Sequence, residues 1–182
     1  MNTKSVMMLT AAACMLSGCL KGDPNVYTAT PEEMAKAMIG KSSTYKRAQY
    51  THVMRVTGGS SKGVNVSLSA DGRDGDSCRI RFEAVDASST RIVPDCGPAH
   101  SAQAESLRDF AEVKVLEQAK HILTGEPVNV AFLESALTTH AMKNLPKMQK
   151  EALQMDAEMR QMRNEMEASA KDAQAAAGGW GS

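Results

Sequence analysis

Val64-Asn65-Val66-Ser67-Leu68-Ser69-Ala70 and Cys78-Arg79-Ile80-Arg81-Phe82-Glu83-Ala84, joined by Asp71-Gly72-Arg73-Asp74-Gly75-Asp76, put an apolar or small residue at every second place on both sides of a turn-forming loop. Successive side chains of a strand point to opposite faces, so Val64, Val66, Leu68 and Ala70 share one face, as do Cys78, Ile80, Phe82 and Ala84. A helical period would scatter the same residues around its circumference. The two Asp-Gly pairs suit a hairpin, because Asp and Gly tolerate the positive φ that tight turns impose.

Upstream, Tyr50, His52, Met54 and Val56 alternate with Thr51, Val53 and Arg55 until the Gly58–Gly63 stretch breaks the run. Downstream, a fourth short strand near Thr90–Val93 stops at Pro94, which cannot donate to a ladder. Loops this short join only antiparallel neighbours, so the segment predicts a four-stranded antiparallel meander with one dry and one wet face.

Helices flank it. Thr30-Pro31-Glu32-Glu33 reads as a helix start, with Thr30 as N-cap, Pro31 in the first turn and Glu33 completing a capping box; the helix runs to about Ile39 and ends at Gly40. Ser101–Thr124 carries Ala104, Leu107, Phe110, Ala111, Val115, Ala119, Ile122 and Leu123 at steps of mostly three and four, then meets Gly125 and Pro127. This helix suits the dry face of the sheet. Another begins near Asn129 with Leu133, Ala136, Leu137, His140 and Ala141 on one stripe, and Pro146 is expected to kink or restart it. The fold class is therefore α+β: a small antiparallel four-stranded meander packed with helices, followed by a long Met-rich C-terminal helix.

That last helix has the most regular pattern in the chain. Leu145, Met148, Ala152, Met155, Met159, Met162, Met166, Ser169, Ala173 and Ala176 follow alternating steps of three and four, a heptad seam. Charged residues such as Lys147, Glu151, Glu158, Arg163 and Glu165 fill the places between. A narrow apolar stripe must be buried against something, so residues 145–177 read as a surface for a protein partner or for self-association. The competing chemistry is Cu(I), a soft ion that thioethers at Met155, Met159, Met162 and Met166 could ligate. Against it stand the heptad order, which a metal does not need, and the lack of a histidine among the sulfurs.

Composition limits the partners. In 182 residues, 21 basic side chains balance 21 acidic ones, so no basic field invites nucleic acid. The few aromatic residues imply an aliphatic, methionine-filled core.

The N-terminus gives the address. Lys4 precedes an uncharged apolar run, Val6–Leu16, too short to span a membrane, and Leu16-Ser17-Gly18-Cys19 follows. This box resembles the lipobox of bacterial lipoproteins, in which small residues fit a peptidase cleft and the cysteine thiol accepts a lipid before cleavage. The resemblance covers the first nineteen residues only. It implies a signal peptide over residues 1–18, fatty acyl chains on Cys19 and, with Leu20 rather than Asp next, the periplasmic face of the outer membrane of a bacterial cell envelope. Each buried methylene adds about 0.8 kcal/mol, so several chains on one residue anchor durably.

From that reading the other cysteines sort. Cys14 leaves with the signal, and Cys78 and Cys96 remain as an even pair in an oxidising compartment, where a disulfide is expected. Two buried free thiols or a metal pair are the alternatives, the latter lacking any histidine at ligand spacing. Residues 19–30 read as a tether, 31–128 as the α+β domain, 129–177 as a helical extension and 178–182 as a tail in which Trp180 stands alone.

No catalytic, cofactor or metal constellation is predicted. The chain has no nucleophile elbow, zinc-binding helix or phosphate loop. Asp95, His100 and Ser101 lie near one another but a triad is a spatial arrangement. His140 reads as a core-edge residue. Asp71, Asp74 and Asp76 could offer oxygens to calcium, yet their spacing departs from the EF-hand loop and a hairpin uses the same residues. The expected role is structural or accessory, with a small-ligand or Cu(I)-binding lipoprotein as the alternative.

Overall fold

The computed structural model describes residues 23–178, the last four by their backbone alone. The signal segment, Cys19 and the tail from residue 179 lie outside the described residues. Nine elements follow in order: β1 (Val26–Tyr27), α1 (Pro31–Met38), β2 (Ser42–Arg47), β3 (Tyr50–Ser60), β4 (Gly63–Ala70), β5 (Arg73–Ala84), β6 (Thr90–Asp95), α2 (Ala102–Thr124) and α3 (Val130–Gly178).

The sheet has six strands, not four, in the order β1-β6-β5-β4-β3-β2, every pair antiparallel, curled as a half-barrel. The expected meander forms its centre. Val64 opposes Ile80, Val66 opposes both Val56 and Cys78, Met54 opposes Leu68, and Phe82 opposes Ile92. One continuous apolar face results from these pairings, because register fixes which side each strand shows.

The two added strands carry almost no apolar alternation. In β2 the inward positions are Ser43 and Tyr45, so a count of hydrophobic places misses it. Strand β1 is two residues long, paired with Arg91 and Thr90, and lies at the end of the stretch read as a tether; Val26, Tyr27 and Ala29 are all buried. Strand β6 continues past its expected stop, with Pro94 opposite Ile80. Because β1 pairs only with Thr90 and Arg91, the missing N–H of Pro94 falls where the ladder has no outer partner.

Two compact units divide the chain: residues up to Cys96 together with Lys114–Asn129, and Gly97–Val113 together with everything from Val130. In the first, α1 packs against β3, β4 and β5. Thr30 accepts the Glu33 N–H while the Glu33 carboxylate accepts the Thr30 N–H at 2.8 Å, the reciprocal cap its sequence predicts. Met34, Met38, Met54, Val64, Ile80 and Ile92 form a fully buried aliphatic core. It was the long helix that sequence suggested for the dry face; α1 takes much of that place, and the Lys114–Thr124 half of α2 adds Val115, Ala119 and Leu123 to the buried set.

In the second unit, the first half of α2 meets α3. Ser101 Oγ accepts the Ala104 N–H, and the Glu151 carboxylate of α3 accepts the Ala102 N–H at 2.9 Å. A negative group there satisfies an orphan donor and meets the positive end of the helix dipole. Lys147 pairs with Glu105 at 2.9 Å, and Leu133 is fully buried. Helix α3 runs unbroken through Pro146, where a restart was one expectation.

Candidate functional site

Two regions offer function, one in each unit. The first grows from the β4–β5 hairpin. Asp71 and Gly72 take φ of 49° and 74°, the all-positive turn that an Asp-Gly pair allows, and Asp71 Oδ1 accepts the Thr51 N–H at 2.7 Å, which ties the turn to β3.

Just beyond the turn the ladder slips. Ser67 opposes Ser77 but Ser69 opposes Asp74, so Leu68 stands against two residues, Gly75 and Asp76. Such a bulge bends its strand and re-aims the side chains beside it. A Cβ on residue 75 would come within 3.0 Å of the Leu68 carbonyl oxygen, so glycine fits this close approach. Asp76 thereby falls on the same side as Cys78, the inner one.

On the neighbouring strands Tyr45 opposes His52, and their rings stack at 4.9 Å with 18° between planes. Burial pushes the Tyr45 hydroxyl up to about 12, against the opposing pull of Arg47. His52 Nδ1 is closed off from solvent and has no hydrogen-bond partner among the described residues. Desolvation first, then the positive charges of Lys114 and Arg47, hold the imidazole below its ordinary pKa, with Asp71 opposing. Lys114, from α2, is likewise lowered, chiefly by desolvation and further by Arg47, while Asp76 works the other way. Among the described residues it forms no ion pair within 4.0 Å.

His52, Lys114, Leu68 and Asp76 border an open cleft of about 420 Å³, with Tyr50 and Asp74 on its wall. A neutral imidazole and an under-compensated ammonium here face carboxylates across a small volume. Sequence reading singled out none of this as a site. His52 read only as a strand residue, Lys114 as part of a helix, and Asp71, Asp74 and Asp76 as weak calcium candidates. Among the described residues no cluster of three histidine, cysteine or acidic side chains suits a metal ion.

The second region is the seam. Met148 is half-buried, but Met155, Met159, Met162 and Met166 are 60%, 51%, 55% and 67% exposed, and Leu153 beside them 71%. From Ala152 to Gln174 every residue except Asp156 is exposed. The four sulfurs spread along roughly 16 Å of helix axis at 1.5 Å per residue. One ion could therefore meet at most a neighbouring pair of them.

The remaining sequence candidates fall elsewhere. The sulfurs of Cys78 and Cys96 stand at disulfide distance, 2.04 Å, and link β5 to the end of β6. His140 Nδ1 lies 3.6 Å from Asp109 Oδ2, beyond hydrogen-bond reach, and Asp109 is held by Arg108 at 2.7 Å. Ser101 is occupied as a helix cap. No described helix is long and apolar enough to cross a membrane. Compared with family models, curated proteins and solved structures, the chain finds no match.

Proposed function

We propose that this chain is a lipoprotein of the bacterial envelope, held through Cys19 at the periplasmic face of the outer membrane, whose methionine-striped helix docks a partner protein. The observation that carries the docking is the exposure of Met155, Met159, Met162 and Met166 on one face of α3. An aligned apolar stripe left in water for several turns is the form that helix recognition takes, and methionine adapts to its partner's surface.

Charge favours a different chain over a second copy. Glu151, Glu158, Glu165 and Asp172 recur at seven-residue intervals beside the seam. Antiparallel self-pairing sets this acidic line against itself, and parallel pairing sets Glu151 toward Asp156 for the one favourable contact of Glu158 with Arg163. A partner helix with lysine or arginine along its flank meets the line without repulsion.

Two measurements test the reading. Intact mass of protein recovered from its native membrane should show a chain that begins at Cys19 with added acyl mass; an unlipidated chain that keeps its leader defeats the anchor. A photo-crosslinker at position 159 of the membrane-bound chain should give one defined adduct that is absent with the crosslinker at 164, on the opposite face. Adducts of twice the chain mass would point to self-association, and equal labelling at both places would sink the seam.

Replacing Met155, Met159, Met162 and Met166 together by serine should abolish the adduct. The fold should survive, since each exposed position away from packed features usually alters stability by only about 0.5 kcal/mol or less, about 2 kcal/mol at most for the four together.

A further inference from the structure

The cleft between β3, β4, β5 and Lys114 is a second site, independent of the helix, and we propose that it binds a small zwitterion of the amino-acid or short-peptide class, carboxylate inward and amine outward. Its base supplies donors. An imidazole whose Nδ1 is walled off without a partner keeps its proton on Nε2, because a buried unpaired N–H is the costlier orphan. Nε2–H is then the donor His52 can offer the cleft. Beside it the Lys114 ammonium is half withdrawn from water with no ion pair among the described residues. Tyr45 stacks on the imidazole and fixes its plane. A carboxylate placed between the two donors would satisfy both and relieve the lysine's desolvation.

The rim has the opposite character. Asp74 and Asp76 are exposed at the bulge, Asp71 is committed to the Thr51 N–H, and Arg73 offsets one of the three charges. A net acidic rim repels phosphate and other dianions but receives an amine. The cleft volume of about 420 Å³ lies in the range of small-molecule sites, with room for a ligand of dipeptide size.

Calorimetry on the full chain in detergent tests this with four probes: glycylglycine, acetate, ethylamine and inorganic phosphate. Glycylglycine should give saturable binding at least about tenfold tighter than acetate, the weight of one charged hydrogen bond, with phosphate and ethylamine weaker still. Lys114→Met keeps the aliphatic stem and should weaken glycylglycine about tenfold or more. Asp76→Asn should weaken glycylglycine but not acetate, which has no amine for the rim. Glu83→Gln, on β5 outside the cleft, should change nothing. Should Lys114→Met fail to fold, His52→Leu, which keeps an apolar side chain and has no donor, must show the same loss. Absence of saturable binding to every probe, phosphate or acetate as tight as glycylglycine, or full affinity in the folded Lys114 and His52 variants would each overturn the assignment.

Discussion

Gly63 shows how one residue can hold two strands in place. It closes the β3–β4 hairpin at φ 142°, and a Cβ there would run into the Ile80 carbonyl of the next strand. Both the backbone conformation and the space exclude a side chain. Gly63→Ala should therefore destabilise the fold by about 2 kcal/mol or more, read as a lowered denaturant midpoint. His52 gives a second prediction with a definite sign. Its folded pKa lies below the unfolded value of 6.5, so between the two the unfolded chain binds a proton that the folded chain refuses. Stability should fall as pH drops from above 6.5 through the folded value. Chemical denaturation at pH 7.5 and 5.5 should show this loss reduced in His52→Gln, where the titrating group is gone.

Among elements, α1 offers the clearest test. Its box of Thr30 and Glu33 satisfies donors that the first turn would otherwise leave unpaired, and the bond from the Thr30 N–H keeps the Glu33 carboxylate ionised to lower pH than usual. Thr30→Ala should cost about 1 kcal/mol in thermal or denaturant unfolding. This helix and strands β3, β4 and β5 were legible in sequence because apolar period and end signals agree there. Strand β2 was not, since Ser43 fills an interior position where a pattern search expects a large apolar residue. Strand β1 is too short to show a period, and its burial comes from pairing with β6, far along the chain. The methionine spacing of α3 was legible residue by residue, for it is local to one helix. The cleft was hidden, because His52, Asp76 and Lys114 meet only after β3, β5 and α2 come together, and no spacing in the chain encodes that meeting.

At the scale of the molecule, the sheet unit is closed by a covalent link with a sequence separation of 18 residues between Cys78 and Cys96. Closing a loop of that length removes unfolded-chain entropy worth about 3 kcal/mol. Serine at both positions should lower unfolding stability by about that amount, and reduction of the native chain should do the same. The buried phenols act at the other end of the pH scale. Tyr27, raised to about 12 chiefly by burial and then by Glu117 and Glu126, and Tyr45, raised as far, stay protonated where unfolded phenols ionise, so their contribution is present below pH 10 and lost as pH climbs toward 12.

Two chemical populations stand out among the described methionines. Met34, Met38 and Met54 are sealed inside the sheet unit, whereas those at 155, 159, 162 and 166 present their thioethers to the medium. Peroxide or hypochlorite would turn the outer group into sulfoxides long before it reached the inner one, and each sulfoxide makes a greasy contact polar. Oxidation would thus make the exposed stripe polar while the fold survives, and a reductase acting on sulfoxides could restore its apolar surface.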